Sequence, residues 1–509
     1  MTATEDAPRR RWAVAPPALL ALFYALLSLA WILGNPAGAA PDEPSHYLRA
    51  VALAGGEVTG KRVSTPQPAP GTSQREAWLR RTTRYVDVPA GLSPLGLDCN
   101  AFMPHVSAEC QEGRRVTPGP TKGFTNFALT HPTTYLVPGV LARFADDPMT
   151  AIKLGRLGNA VVSVGLVWVA IALLWDRSVG LRSIVGLLAA ATPMVIFVAS
   201  SLTASGPEVA AGICFFSALL RVTRPSKPRT WNWVFLGLSG VLLAAGRTLG
   251  PLTVAFQVGM VIVAHGFRRS WALLRSAGSP AFWASAAVAV AVGLSVGWEL
   301  AVAPHGRLGV SALRAALGPS LRDLRRVLGE LVGVFGWLDS PAPSFVYVLW
   351  WAALAALVSV ALLVAGRRER LVLALLAAGA AVLTLGIAVL NLAQTGFGMQ
   401  GRYVLPMAVG VPLFAGEVLV RNPGRWSVPV DRWLGPFFVL AGGLHAMAWY
   451  ANARRSALGT DGSWLFMGSS EWSPSTGWYP LALLVVLAVM AVALCAIDLG
   501  RQGDEAAAT

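Results

Sequence analysis

Long stretches that are almost free of Asp, Glu, Lys and Arg dominate this chain, and short polar segments separate them. A helix needs about 20 mostly apolar residues to cross a bilayer core of roughly 30 Å. The pattern therefore predicts an all-α polytopic membrane protein with about twelve transmembrane helices. The predicted spans are 12–33, 157–175, 183–200, 206–220, 231–248, 250–266, 280–301, 343–366, 371–394, 403–420, 433–452 and 479–498.

The first span has two interpretations. Arg9–Arg11 precede it and Ala37-Gly38-Ala39 follows it, which is the order of a cleaved signal peptide. Its apolar stretch is, however, longer than the usual signal-peptide core of about 7–15 residues. We therefore interpret 12–33 as a retained first helix.

Basic residues in the links between spans predict the orientation. Under the positive-inside rule, arginine-rich links lie in the cytoplasm. This places both termini inside, with cytoplasmic tails at 1–11 and 499–509 around a membrane domain at 12–498. The large exoplasmic segments are then 34–150, by far the longest, 302–342 and 453–478.

Composition agrees with this arrangement. Of 509 residues, 55% are hydrophobic and 13% charged, against about 25% charged in a typical soluble protein. A soluble enzyme and a disordered chain are both excluded. The net charge of +15 lies chiefly in short inner links and is not interleaved with aromatic residues, so we expect no nucleic-acid partner.

The predicted inner links are too short to fold a nucleotide-binding domain, and the polar segments contain no Walker or dinucleotide glycine pattern. Any chemistry should therefore take place at the outer face. In that region Cys99 and Cys110 could form a disulfide, or could remain two free thiols; we favour the disulfide.

The first chemical cluster is Pro41-Asp42-Glu43-Pro44, with His46 and Arg49 directly after it. Carboxylates at a membrane surface are costly to desolvate, so they should be paired, metal-bound or catalytic. Asp42 or Glu43 could act as a general base, or could hold a divalent cation (Mg²⁺ or Mn²⁺) together with His46. The alternative is a solvated helix N-cap at Asp42.

Two further clusters carry polar residues at the predicted outer face. His131 to Tyr135 end the first outer segment, and Lys153 and Arg156 follow, where they could meet a lipid phosphate or could merely snorkel. Gly396 to Tyr403 form a glycine-rich turn whose Arg402 could bind a phosphate or carboxylate. Glu208, Arg247 and Asp339, each taken alone, are interpreted as structural.

These motifs together resemble a known family. Pro41-Asp42-Glu43-Pro44 with His46, then His131-Pro132, Phe335 to Asp339, and Gln400 to Tyr403 occur in the order found in the bacterial membrane family named domain of unknown function 2142. That family is similar to the GT-C superfamily of glycosyltransferases, which take sugars from polyprenyl phosphates. The resemblance implies that Asp42 is catalytic, with Glu43 and His46 as its partners, and that His131 lines the active site.

The residues and the resemblance together predict a GT-C-like, inverting glycosyltransferase of the bacterial plasma membrane, with an exoplasmic active face. Its partners would be a polyprenyl-phosphate sugar donor, an envelope glycan, lipid or protein acceptor, and the lipid bilayer. The alternatives are a transporter or lipid flippase for envelope precursors, or a non-catalytic scaffold. The predicted substrate- and phosphate-binding residues are Arg49, His131, Tyr135, Arg156, Arg247, Gln400, Arg402 and Tyr403.

Overall fold

The structure, a computed structural model, describes residues 16–63, 71–113, 119–226, 228–302, 308–423 and 431–507, so the predicted tail at 1–11 lies outside the described residues. The chain is mostly helical, as the apolar pattern predicts. Its α-helices are α1 (Pro16–Gly34), α2 (Glu43–Ala54), α3 (Gln74–Thr82), α4 (Leu136–Ala142), α5 (Pro148–Leu174), α6 (Val185–Ala190), α7 (Pro193–Ala199), α8 (Ser205–Val222), α9 (Thr230–Ala244), α10 (Gly250–His265), α11 (Phe267–Ala277), α12 (Ser279–Val302), α13 (Val310–Val332), α14 (Ser344–Val364), α15 (Arg367–Thr395), α16 (Leu405–Ala408), α17 (Gly410–Arg421), α18 (Asp431–Leu458) and α19 (Trp478–Ala507).

Among the described residues, eight helices are long and apolar enough to cross a membrane, or nine if α10 and α11 together count as one bent span. The eight are α1, α5, α8, α12, α14, α15, α18 and α19. A polytopic helical membrane protein is therefore confirmed. The count of about twelve and the N-in/C-in orientation remain predictions.

Three of the other predicted spans are helical but short or interrupted. The stretch 183–200 divides into α6 and α7, because Pro193 lacks an N–H group and Thr192 before it is extended. The stretch 403–420 begins with a 3₁₀ turn and continues as the short helices α16 and α17. At 231–248, α9 has only 15 residues. Hydropathy alone does not detect such interruptions.

The helices pack as a connected bundle. α1 lies against α19 and α5, and α8 packs on both α5 and α9. Leu20, Phe23, Tyr24 and Leu27 of α1 are fully buried at these contacts. The first helix is thus an integral part of the packed core, as expected for a retained span.

The long segment 34–150, predicted to be exoplasmic, contains a small folded unit. Strands β1 (Lys61–Arg62), β2 (Arg84–Val88) and β3 (Thr121–Thr125) form an antiparallel sheet in the order β1-β2-β3, and α2 packs against β2 and β3. Cys99 and Cys110 form a disulfide in this unit, with Cα atoms 6.2 Å apart.

The segment 302–342, also predicted to be exoplasmic, contains the amphipathic helix α13 and a hairpin of β4 (Val334–Phe335) and β5 (Ser340–Pro341). α13 packs on α15 and on the 3₁₀ turn at Gly401–Tyr403. The third segment, 453–478, begins inside α18, which continues to Leu458.

Candidate functional site

Asp42 lies in the tight turn between α1 and α2. Its backbone is left-handed, with φ of 60°, a conformation that costs a non-glycine residue roughly 1–2 kcal/mol. Pro44 follows in the first turn of α2, where a backbone N–H would have no acceptor within the helix, so proline costs no hydrogen bond there. Although Asp42 occupies the N-cap position, its side chain makes no capping hydrogen bond. The alternative of a helix N-cap at Asp42 therefore holds for its position in the chain but not for its carboxylate, which does not cap the helix.

The carboxylate of Asp42 instead pairs with Arg402. Nη2 of Arg402 donates to Oδ2 of Asp42 at 2.8 Å, and Nη1 donates to the carbonyl of Pro41 at 3.1 Å. Nε donates to Oε1 of Gln400 at 2.7 Å. The Arg402 side chain is buried, whereas that of Asp42 remains 32% exposed. Arg402 thus positions Asp42, and its donors face protein acceptors and not an open phosphate site.

Glu43 points away from Asp42 into the protein. Nε and Nη2 of Arg156 donate to its two carboxylate oxygens at 2.8 and 2.6 Å, and neither side chain has any exposed surface. The backbone N–H of Leu202 donates to Oε1 at 2.8 Å. Arg156 also donates to the carbonyls of Asn35 and Pro36. This network closes the turn onto α5, so the geometry gives Glu43 and Arg156 a positioning role.

His46 and Arg49, on the next turns of α2, are also buried. Nδ1 of His46 and the hydroxyl of Tyr135 are 2.7 Å apart and share a hydrogen bond. Burial and the nearby guanidinium groups of Arg402 and Arg247 hold the pKa of His46 well below its usual value, so the ring is neutral. Burial raises the pKa of Tyr135 to about 12. Arg49 donates to the carbonyls of Val58 and Thr130, which leaves it little freedom to bind a phosphate.

His131 lies at the start of the 3₁₀ turn at Pro132–Tyr135. Its Nδ1 is 2.9 Å from the hydroxyl of Thr133, and its ring meets the edge of Trp298, with centroids 5.6 Å apart. Burial, followed by the charge of Arg49, lowers the pKa of His131. The adjacent Leu129 and Thr130 line the cavity described below, so His131 lies behind its wall.

The motif at 335–339 reaches the same turn. Nε1 of Trp337 donates to the carbonyl of Gly38 at 2.9 Å. Asp339 forms a buried ion pair with Arg455 on α18, at 2.8 Å. In this way the β4–β5 hairpin is joined to the loop before Asp42 and to α18.

The glycine-rich turn is held from α13. The N–H of Gly401 donates to Oε2 of Glu330 at 2.6 Å, and Nη2 of Arg326 donates to the carbonyl of Met399 at 2.8 Å. Burial raises the pKa of Glu330. These bonds place Arg402 and Tyr403 beside Asp42, so motifs that are distant in sequence converge on one location.

A cavity of about 430 Å³ lies beside this cluster, between α10, α15 and the loops at 126–130 and 399–403. Leu249, Leu252, Ile387 and Leu390 give it apolar walls. Its polar lining comes from residues that lie far apart in the sequence: Asn126, Thr130, Glu208, Arg247, Thr248, Glu299, Asn391, Gln394, Thr395 and Tyr403. A concave, mostly apolar site with a few converging polar groups is the common form of a ligand pocket.

Arg247 supplies the positive charge of the cavity. Its Nη1 donates to Oγ of Ser205 at 2.8 Å, and its guanidinium carbon lies 4.0 Å from the centre of the Tyr403 ring. Of the ion pairs that the described residues form, none includes Arg247. Among the arginines predicted to bind phosphate, Arg247 is the one that lines the cavity, whereas Arg156 and Arg402 pair with carboxylates and Arg49 donates to two backbone carbonyls.

Glu208, in the first turn of α8, also lines the cavity and is buried. Its Oε2 has no hydrogen-bond partner within the described part of the chain. Sequence reasoning treats Glu208 as structural, yet an ionisable residue at the end of a membrane span is by default a functional candidate. That rule is the sequence signal that could have identified Glu208 as a candidate. Ser205, one turn earlier on α8, accepts a hydrogen bond from Arg247 and so links the start of this helix to the cavity.

Asp42, Glu43 and His46 do not form a metal site. Glu43 is bound to Arg156 and His46 to Tyr135, and these side chains do not converge. Across the described residues, no group of three or more His, Cys, Asp or Glu side chains is placed to hold a metal ion. The geometry of the described residues therefore gives no support to the divalent-cation site expected on these three residues.

The packed apolar helices and the polar cluster at one end of them define a polytopic helical membrane protein with a polar pocket. The chain belongs to the family described as predicted membrane protein (DUF2142), whose model matches residues 25–411. The matched region contains Asp42, Arg156, Arg247 and Arg402. No curated protein and no solved structure matches the chain.

Proposed function

We propose that this protein is a membrane-embedded glycosyltransferase that moves a sugar from a polyprenyl-phosphate donor to an envelope acceptor. The observation that carries the proposal is the position of two groups near one cavity: a partly exposed carboxylate, Asp42, and an arginine, Arg247, that forms no ion pair within the described part of the chain. Asp42 and Arg247 lie on either side of the pair Arg402 and Tyr403, whose side chains are 3.4 Å apart.

In the reaction, a hydroxyl oxygen of the acceptor attacks the anomeric carbon of the donor sugar. The bond between that carbon and the phosphate oxygen breaks, and its electron pair leaves with the polyprenyl phosphate. Asp42 accepts the proton of the attacking hydroxyl as general base. Arg247 stabilises the negative charge that develops on the departing phosphate, where a water-poor site strengthens the interaction. Attack from the face opposite the phosphate inverts the anomeric configuration.

The cavity has the polarity that such a donor requires. Asn126, Thr130 and Asn391 can bind sugar hydroxyls beside Arg247 and Glu208. Leu249, Leu252, Ile387 and Leu390 can contact the first units of the apolar chain. Because the donor arrives within the bilayer, no soluble nucleotide-binding domain is needed. This role places the protein in a bacterial plasma membrane with the active face outward.

The test is sugar transfer by the purified full chain in lipid nanodiscs, with radiolabelled polyprenyl-phosphate sugars and an envelope extract as acceptor. We expect Asp42→Asn to abolish transfer while donor binding persists, and Arg247→Gln to weaken both donor binding and transfer. Asp87→Asn and Arg80→Gln are the matched controls, because both residues lie in exposed ion pairs on the first outer segment. Transfer that survives Asp42→Asn in folded protein would refute the catalytic assignment.

Separate measurements of donor binding, donor cleavage and donor movement between leaflets distinguish this function from the alternatives. A flippase would move the donor between leaflets without cleaving it, and its Asp42→Asn variant would remain active. A scaffold would neither bind nor cleave any donor in purified form. Transfer assayed with and without EDTA tests the expected divalent cation directly.

A further inference from the structure

The link between α9 and α10 holds one cation close to two acids at the cavity. A Cβ atom on Gly246 would lie 3.3 Å from Cβ of Glu208, so Glu208 of α8 packs against this link. Two residues later, the hydroxyl of Thr248 donates to Oε1 of Glu299 on α12 at 2.8 Å. Arg247 lies between Gly246 and Thr248 in the chain. All three charged side chains line the cavity.

The charges of these three side chains do not cancel. Of the ion pairs that the described residues form, none includes Glu208 or Glu299. Glu208 is buried, and its Oε2 has no hydrogen-bond partner within the described part of the chain. In the proposed reaction Arg247 binds the donor phosphate. Two carboxyl groups then remain for the sugar, with no second Lys or Arg among the described residues that line the cavity.

Three threonine hydroxyls of the cavity are also acceptors towards a ligand. The hydroxyl of Thr82 donates to the carbonyl of Trp78 at 3.0 Å. That of Thr395 donates to the carbonyl of Asn391 at 2.7 Å, and that of Thr248 donates to a carboxylate, as described above. A hydroxyl group has one proton, so these three side chains offer only lone pairs to a ligand. The lining therefore favours a ligand that supplies several hydrogen-bond donors.

One wall of the cavity is aromatic. Trp78 of α3 lines it and is half-buried. α3 is held at the end of α15, where Nε2 of Gln74 donates to the carbonyl of Gln394 at 2.8 Å. The guanidinium carbon of Arg75 lies 4.5 Å from the centre of the Phe397 ring. A flat indole next to polar side chains fits the C–H face of a sugar ring, because it offers a large and rigid apolar surface.

We propose that this cavity selects a sugar ring that has several free hydroxyls and no acidic group. The inference rests on the proposed function, because it takes the sugar to arrive on a polyprenyl phosphate held by Arg247. The ring stacks on Trp78, and its hydroxyls donate to Glu208 and Glu299. The same hydroxyls accept from the side-chain amide of Asn126. An acidic sugar would place its carboxylate among acceptors and like charges, which disfavours binding.

The test is equilibrium binding of radiolabelled donors to the Asp42→Asn chain in lipid nanodiscs, which should bind a donor without consuming it. Six polyprenyl-phosphate sugars form three pairs: glucose with glucuronic acid, galactose with galacturonic acid, and mannose with mannuronic acid. The members of a pair differ only at C6, which is a hydroxymethyl group or a carboxylate. In the pair that binds best, we expect the neutral donor to bind at least about tenfold more tightly than the acidic one, because like charges placed together weaken binding.

Two sets of variants separate charge from stacking. Glu208→Gln/Glu299→Gln replaces both carboxylates with amides of the same size, which add hydrogen-bond donors, and the preference should fall below about threefold. The control Glu109→Gln/Glu112→Gln makes the same change at exposed positions outside the cavity lining and should keep the preference. Trp78→Ala should weaken both members of a pair alike, because stacking does not depend on the charge at C6.

Circular dichroism and a monodisperse elution profile establish that each variant is folded. Glu299→Gln alone, at a half-buried position, should already narrow the preference. Equal affinity within every pair, tighter binding of the acidic donors, or no binding of any donor would overturn the proposal. So would an unchanged preference in Glu208→Gln/Glu299→Gln, a lost preference in the control, or full affinity in Trp78→Ala.

Failure of this inference is distinguishable from failure of the proposed function. Transfer by the wild type without any preference between neutral and acidic donors would contradict the sugar selectivity alone. Selective binding of neutral donors without transfer by the wild type would contradict the proposed function and leave the selectivity of the cavity in place.

Discussion

The buried ion pair between Glu43 and Arg156 allows a quantitative prediction. Arg156→Met removes both donors to the Glu43 carboxylate and the donors to the carbonyls of Asn35 and Pro36. The carboxylate then keeps the N–H of Leu202 at 2.8 Å and that of Ala40 at 3.5 Å. Because both side chains are fully buried, no water compensates the lost charge partner.

Breaking such a pair from one side costs about 3–5 kcal/mol, a large part of the roughly 5–15 kcal/mol that stabilises a typical protein. We expect this loss for Arg156→Met, measured by equilibrium unfolding in mixed detergent micelles. In the double variant Glu43→Gln/Arg156→Met, the loss should be smaller than the sum of the single losses by about 1–3 kcal/mol. The exposed pair Glu76 and Arg80 is the control, and Arg80→Met should cost less than about 1 kcal/mol.

Two results would refute this reasoning. One is a loss below about 1 kcal/mol for Arg156→Met, since burial of an unpaired carboxylate could not then be costly. The other is additivity of the two substitutions, because the energies of residues in direct contact should couple.

The remaining predictions concern pH, the disulfide and the glycine-rich turn. The folded-state pKa of His46 lies below the unfolded value near 6.5, so stability should fall as the pH drops below about 6.5 and should level off below the folded-state pKa. His46→Phe should flatten this slope, whereas His105→Gln, a change at an exposed histidine, should not. Unfolding measured over a range of pH tests both expectations. Cys99→Ser/Cys110→Ser should lower the free energy of unfolding by about 2–3 kcal/mol for a loop of this length, and chemical reduction of the wild type should have the same effect in thermal unfolding. Equal stability of the oxidised wild type, the reduced wild type and the double variant would contradict the disulfide. Gly401→Ala should lower the free energy of unfolding by about 1–3 kcal/mol and impair transfer, because its Cβ would lie 2.6 Å from Cβ of Glu330 and 2.9 Å from the carbonyl oxygen of Val327. The control is Gly386→Ala, which has open space around the added methyl group and should be neutral in the same thermal-unfolding and activity assays.

Helix positions follow closely from hydropathy in this chain. Each predicted span overlaps one or more helices, and the first and last agree within a few residues for α1 and the start of α19. The errors occur where the backbone leaves the helix inside an apolar stretch, as at Thr192-Pro193 and at Gly401 to Tyr403. In the packed interior, side chains and neighbouring helices satisfy the freed backbone groups, so apolar length alone does not reveal the interruption.

Some residues of the candidate site could be selected from the sequence, but their partners could not. Asp42, Arg247 and Arg402 are all polar residues at predicted span ends, which is a local property of the sequence. Their partners are not local: Arg402 is 360 residues from Asp42, and Arg156 is 113 residues from Glu43. Two adjacent carboxylates therefore have different environments, one partly exposed and one fully buried.

The sequence by itself determined that this is a helical membrane protein with its polar clusters in the links between spans, because apolar length and charge distribution are read along the chain. Only the tertiary structure decided which arginine holds which acid, and that Glu208 and Arg247 share a cavity. The physical reason is that the free energy of an ion pair depends on burial and on distances of about 3 Å, which the packing of distant helices sets.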